Sequence, residues 1–169
     1  AAEIPETTPQ GVEQTPAPPA EGFVAKLYYF EQDLDAMPDV TSLTPNAEGV
    51  SKEISYTNHE EFKTVDPNLP DSRVAVSWSG LLFVEEAGPY TFNTASDDGS
   101  HVYIDGEMIV DNSGLHGVET KSGTVDLTAG YHEFYADFFE QQGGEHMVVT
   151  YSGPDTKAEE VLVQGFHEV

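Results

Sequence analysis

Apolar residues recur at every second position through most of this chain, a period that a strand with one buried face requires and that a helix cannot use. The longest run is Arg73–Val84, where Val74, Val76, Trp78, Gly80, Leu82 and Val84 share one face. Val24–Phe30 reads as another strand, and Tyr90, Phe92 and Thr94 carry on the alternation after a turn at Gly88-Pro89. Asp105-Gly106 tolerates the positive φ of a type I′ turn, so His101–Ile104 and Met108–Val110 are expected to pair as a hairpin. Thr124–Leu127, Tyr131–Phe139 and His146–Tyr151 follow, separated by Ala129-Gly130 and Gly143-Gly144, and Glu159–Val169 reads as a returning strand. Asn58–Phe62 is the one segment that suggests a short helix, and the span from Phe30 to Arg73, broken by Pro38, Pro45, Pro67 and Pro70, reads as long loops over one end. The pattern predicts an all-β domain, an antiparallel β-sandwich of jelly-roll type.

The first residues cannot belong to such a core. Ala1–Glu21 holds five of the eleven prolines, four glutamates, no Lys or Arg, and only Ile4 and Val12 as large apolar side chains. Residues 1–22 therefore read as a Pro/Glu-rich linker or tail, and residues 23–169 as one domain.

Charge restricts the partners. With 31 acidic residues against six Lys and Arg, the net charge is −25, which leaves no basic patch for a phosphate backbone or an anionic leaflet. Neither nucleic acid nor a membrane surface is expected as a partner. No apolar run approaches the roughly 20 residues of a membrane span, and no basic segment followed by an apolar one opens the chain, which fits a piece of a larger soluble protein. The acidic excess suits either a saline, calcium-rich exterior or an acidic protein of ordinary habitat. Cysteine is absent, so a disulfide frame, a thiolate metal site and a cysteine nucleophile are all excluded.

The chemistry gathers in two loops. Adjacent carboxylates in Ser96-Asp97-Asp98-Gly99-Ser100 repel each other, and a fold that holds them together calls for a cation or a raised pKa. A hard ion such as calcium takes six to eight oxygens and suits that donor type, whereas an ordinary solvated Asp-Asp-Gly turn is the plain alternative. In the second loop, Phe139-Glu140-Gln141-Gln142-Gly143-Gly144-Glu145-His146, paired glycines free the backbone to turn carbonyls inward, and Glu145 adds a carboxylate. The first loop lacks the spacing of an EF-hand.

Five motifs then occur together. Gly88-Pro89-Tyr90-Thr91-Phe92 leads to Ser96-Asp97-Asp98-Gly99-Ser100; Val102-Tyr103-Ile104-Asp105-Gly106 is followed by Ile109-Val110-Asp111-Asn112; Leu127-Thr128-Ala129-Gly130-Tyr131-His132 precedes Phe139-Glu140 and Gly143-Gly144. In this order, over about residues 23 to 155, the chain resembles the PA-fourteen (protective antigen) domain family. The resemblance implies a β-sandwich module of the kind found in secreted toxins, glycosidases and yeast and bacterial adhesins, many of them calcium-dependent lectins. It further implies that Asp97 and Asp98, joined by a cis peptide, hold calcium, that the carbonyls of Gln142 and Gly143 and the carboxylate of Glu145 add oxygens, and that a sugar completes the coordination through vicinal hydroxyls. Glu145 departs from the Asn or Asp that yeast adhesins place in this region.

The remaining chemistry is thin. No two of the six histidines form a close pair on one strand, no Gly-x-Ser-x-Gly elbow occurs, and sequence-adjacent carboxylates suit a metal better than acid and base work across a sugar. Trp78 sits in an apolar strand and reads as core, while Tyr103, His116 and Gln142 are candidate sugar contacts beside Asp97 and Asp98. The expected function is a non-enzymatic, calcium-dependent lectin module for adhesion to neutral cell-surface glycans. It is expected to be monomeric, extracellular and joined to other domains of a parent adhesin. A structural or protein-binding spacer and an accessory module of a glycosidase are the alternatives. Removing Ala1–Glu21, which has no apolar content to dock, is expected to leave the melting temperature unchanged in a thermal melt.

Overall fold

The computed structural model describes residues 18–169; residues 1–17 of the expected linker lie outside the described residues. In chain order the strands are β1 (Ala20–Glu21), β2 (Phe23–Tyr29), β3 (Ala47–Ser51), β4 (Ser55–Tyr56), β5 (Val74–Val84), β6 (Gly88–Asp97), β7 (Ser100–Ile104), β8 (Glu107–Asn112), β9 (Glu119–Leu127), β10 (Gly130–Glu140), β11 (His146–Ser152), β12 (Val161–Leu162) and β13 (Phe166–His167), with one short helix, α1 (His59–Phe62). All the strand pairs are antiparallel.

Two sheets form the sandwich. The larger runs β1-β13-β5-β10-β7-β8, with β2 joined to both β5 and β3, and the smaller runs β12-β11-β6-β9, with β4 on β11. Period-two alternation drives the association. On β5 the side chains of Val74, Val76, Trp78, Leu82 and Val84 are buried, as are Phe134, Ala136 and Phe138 on β10 and Tyr90 and Phe92 on β6. Phe23 stacks on Phe134 with ring centroids 4.5 Å apart, and Phe62 of α1 stacks on Phe138 at 5.3 Å, so the helix plugs the core. A second apolar cluster, Tyr28, Leu34, Val40, Ala75 and Phe139, lies under the segment that follows β2.

The connections matter most for function. β6 and β7 belong to different sheets, and so do β8 and β9, and β10 and β11. The ladders place Asp97 opposite His146, Ser96 opposite Glu119, and Ser100 opposite both Asn112 and Phe138. All three crossings therefore occur at one end of the sandwich.

Several expectations are corrected. The turn after β5 is at Glu85-Glu86-Ala87, not Gly88-Pro89, because Asp155 accepts the backbone N–H groups of Glu85 and Glu86 at 2.8 Å each and fixes the bend earlier. β9 begins at Glu119, five residues before the expected start, since nine ladder pairs with β6 sustain exposed polar residues that carry no hydrophobic signal. The expected returning strand, residues 159–169, splits into β12 and β13, which pair in different sheets. The expected loop region contains β3, paired with β2 over five residues, and the short β4. The helix and the Asp105-Gly106 hairpin occur where expected. Asn58 caps α1 by accepting the Glu61 N–H at 2.9 Å, and Asp105 and Gly106 have φ of 51° and 81°. The sandwich includes residues before Phe23, because Ala20 and Glu21 pair with His167 and Phe166 and Gly22 donates to the Gly165 carbonyl at 2.7 Å. Truncation through Glu21 thus removes one strand of the larger sheet and should lower the melting temperature rather than leave it unchanged.

Close approach of the sheets at β8 and β9 generates a sharper test. A Cβ built on Gly123 would meet the Ile109 carbonyl oxygen at 1.7 Å, whereas Gly117 has open space around it. Gly123→Ala should cost about 1–3 kcal/mol, or roughly 2–4 °C of melting temperature per kcal/mol for a domain of this size. Gly117→Ala should be nearly neutral in the same thermal melt.

Candidate metal centre

Strand periodicity carries polar groups into the end of the core. On β6 the buried positions run Tyr90, Phe92, Thr94, Ser96 and on to Asp98, and on β10 they run Phe134, Ala136, Phe138, Glu140. The inner face of β6 thus changes from apolar to polar to acidic as it approaches the crossing, and that of β10 passes from apolar directly to acidic. Beneath the acids lies a hydrogen-bonded layer. The Ser96 and Ser100 hydroxyls are 2.7 Å apart, Ser100 donates to Thr94 Oγ1 at 2.9 Å, and Asn112 Nδ2 donates to the Glu119 carbonyl at 2.9 Å.

Asp97, Asp98 and Glu140 converge, with one carboxylate oxygen from each lying within 4.8 Å of the others. The Asp97–Asp98 peptide bond is cis. Asp98 is fixed from both sides, accepting the Gln141 N–H on Oδ2 at 2.9 Å and the His116 N–H on Oδ1 at 3.1 Å. Each of the other two crossings therefore lends one backbone donor. Glu140 is fully buried, and neither of its carboxylate oxygens has a hydrogen-bond partner. Burial, and then the charges of Asp98, Asp97 and Glu145, push its carboxyl up to about 9. Burial, and after it the charge of Asp98, also raises Asp97.

A buried carboxylate with no donor, facing two more, lacks one component: positive charge. The donor set is all oxygen, which suits a hard cation and disfavours soft metals. The second loop lies directly against it. A Cβ on Gly144 would sit 3.7 Å from Asp97 Oδ2 and one on Gly143 4.0 Å from Glu140 Oε1, and Gly143 has φ 103°, which favours glycine.

The structure brings some expected residues together and separates others. Asp97 and Asp98 are adjacent at the centre, His116 touches Asp98 through its backbone, and Gln142 and Gly143 are exposed on the loop that covers the cluster. Glu145 is outside the three-carboxylate cluster. It is buried, and its Oε1 takes His59 Nδ1 at 2.9 Å. Burial raises its pKa while the hydrogen bond from His59 opposes the rise. Tyr103, expected at the rim, lies instead on the outer face of the larger sheet, edge-on to Tyr135 with centroids 5.8 Å apart. Glu140 is the site residue that sequence reasoning missed. Its signal was its phase, because it continues the buried alternation of Phe134, Ala136 and Phe138, where a carboxylate has no place without a counter-charge.

Comparison with known proteins gives a consistent picture. A family model described as the PA14 domain matches residues 20–165. Over 63 residues the chain is 35% identical to the anti-sigma-I factor RsgI3 of Acetivibrio thermocellus, a match covering 37% of this chain and 10% of that protein. A PA14 sugar-binding domain from an RTX adhesin superposes with a TM-score of 0.72 at 17% identity, covering 88% of this chain and 99% of that one. The epithelial adhesin 6 A domain of Candida glabrata, solved with Galβ1-3GlcNAc, superposes with a TM-score of 0.64 at 12% identity, covering 92% and 91%. At these identities the likeness establishes the fold.

Glu140→Gln tests the metal centre. Calcium at about 100 times its dissociation constant should stabilise the parent by roughly 2.7 kcal/mol, seen as a rise in melting temperature that chelation reverses. The variant should lose most of that rise and be no less stable than the parent in chelator, because the amide is uncharged at every pH, as the protonated Glu140 carboxyl is below about 9. The parent in chelator should also lose stability as pH climbs from the ordinary carboxyl range toward about 9, since the folded state there binds a proton that the unfolded state has released. Melting curves in chelator should show this decline in the parent and a weaker one in the variant.

Proposed function

This chain belongs to the PA14 domain family, and from that premise we propose that it is a calcium-dependent carbohydrate-binding module that mediates adhesion at an extracellular or cell-surface location. The observation that carries the reading is the Asp97, Asp98 and Glu140 cluster with its orphaned buried carboxylate. Those three carboxylates, with the Gln142 and Gly143 carbonyls of the covering loop, would hold the ion. When bound, calcium supplies coordination positions for two neighbouring sugar hydroxyls.

The chain's own residues do the rest. Asp97, the most exposed of the three acids, faces the surface and accepts hydrogen bonds from ligand hydroxyls. Asp98 is held by two backbone donors and needs no rearrangement on binding. His116 and Gln142 flank the opening as further sugar contacts. Asp97 and Asp98 are neighbours in the chain and share one cluster with Glu140, which suits a common cation better than acid and base roles across a sugar ring. An end-loop site buries little area, so useful adhesion comes from many copies in one parent chain.

A glycan array in calcium should return neutral sugars with vicinal diols, of the glucose, mannose or fucose type, and the same array in chelator should lose them. The net charge of −25 should weaken sialylated or sulfated glycans relative to neutral ones, more so at low salt. Asp98→Ala should abolish the calcium-dependent hits while thermal melts show a folded domain. A calcium-induced melting shift without a single glycan hit would favour a stiffened structural spacer instead.

A further inference from the structure

The outer face of the larger sheet carries a feature that the metal centre does not use. Ladder register aligns Tyr103, Tyr135, Ser79 and Val24 in one row across β7, β10, β5 and β2. They line a cleft of about 830 Å³, walled on one side by Met37–Thr41 and on the other by His167 and Glu168. Both tyrosine rings are half-buried and meet edge-on, so each offers part of a ring face to the cleft, while Ser77 engages the Tyr135 hydroxyl. The row belongs to a longer strip. Four residues along β10 from Tyr135, or about 13 Å, Tyr131 packs on Phe83 with centroids 4.9 Å apart, and both are exposed on the same face.

Electrostatics selects the occupant. No Lys or Arg lines the cleft. Of its carboxylates, Asp137 is already engaged, accepting from His101 Nδ1 at 2.7 Å, and Asp39 accepts both the N–H and the hydroxyl of Thr41 at 3.0 and 2.6 Å. Glu133 and Glu168 remain at the rim, where they repel anions. With the buried Asp137 paired to His101 and the exposed Asp39 turned onto Thr41, the floor is not a cation trap. It presents aromatic faces, hydroxyls and free acceptor lone pairs, which match the flat apolar faces and equatorial donors of neutral sugar rings.

We propose that this cleft is a second, metal-independent carbohydrate site, which takes an internal stretch of a neutral glycan chain over Tyr103 and Tyr135 and lets the chain run on to Phe83 and Tyr131. It rests on the reading that the domain is carbohydrate-binding but uses none of the residues of the calcium-dependent site. The division of labour is chemical: the end loops select a diol, and the sheet face holds chain length.

The test is an NMR titration of the full chain in chelator with a panel of uncharged hexasaccharides of glucose, mannose and galactose. Shifts should appear at Tyr103, Tyr135 and Ser79 and leave Asp97–Gly99 unmoved. Matched monosaccharides should bind at least tenfold more weakly. Tyr135→Ala should weaken hexasaccharide binding about tenfold, Tyr135→Phe should keep most of it, and Ser79→Leu, which fills the floor without removing a ring, should block it. Thermal melts confirm that each variant is folded. Absence of shifts with every hexasaccharide would overturn the proposal, as would shifts confined to the end loops. So would tighter binding of oligolysine at the same residues, which identifies a basic peptide as the occupant. Movement of the Tyr103 and Tyr135 signals on deletion of residues 1–17 would assign the cleft to the chain's own tail and equally overturn it. The calcium-dependent reading is scored separately, by monosaccharide binding in calcium and its loss in Asp98→Ala, so the two can fail independently.

Discussion

Three carboxylates at the closed end of a sandwich cannot all be ionised without a counter-charge, and the imidazoles of His116 and His146 offset Asp97 less than burial and the charge of Asp98 act against it. The rest of that end is organised around this constraint. Asp98 is locked by one backbone donor from each neighbouring crossing, and Glu140 is sealed from water with its lone pairs empty. Two glycines bring the covering loop against the acids, and Gly143 does so at a positive φ that favours glycine. The polar layer of Thr94, Ser96, Ser100 and Asn112 separates the acids from the aromatic core, so the charge meets hydroxyls and amides before it meets hydrocarbon.

The fold makes this possible because the chain changes sheet three times at one end. A hairpin within one sheet brings two strand ends together, whereas a crossing between sheets leaves a connection suspended over the gap between them. Three such connections meet around Asp98, which accepts a backbone donor from each of the other two. Aromatic stacking of Phe23 on Phe134 and of Phe62 on Phe138 anchors the sheets below, away from the loops that carry the acids.

The two surfaces described differ in how they are built. The end-loop cluster depends on precise convergence of charge from two crossings, with a third holding Asp98 in place. The floor of the cleft on the larger sheet depends on register, because antiparallel pairing of β7 and β10 puts Tyr103 opposite Tyr135, and its walls come from Met37–Thr41 and from His167 and Glu168. The cluster and the cleft share none of their lining residues.

The amino-acid sequence by itself determined the sandwich. Alternation on β5, β6 and β10 fixes which face of each is buried, and the turn chemistry of Asp105-Gly106 and the cap at Asn58 act within a few residues of themselves. The Asp97-Asp98 pair was legible for the same reason, since its repulsion is local. What required the tertiary structure was every property set by a distant neighbour. β9 beyond its apolar half is held by its ladder with β6, and the division of residues 159–169 between two sheets depends on which strand lies beside each half. The place of Glu145, drawn away to His59, and that of Tyr103, on the outer sheet face, follow from packing between segments remote in sequence. Glu140 stands between the two. Its inward phase is written in the strand, but the identity of what it faces, two aspartates more than forty positions earlier in the chain, exists only once the sheets have closed.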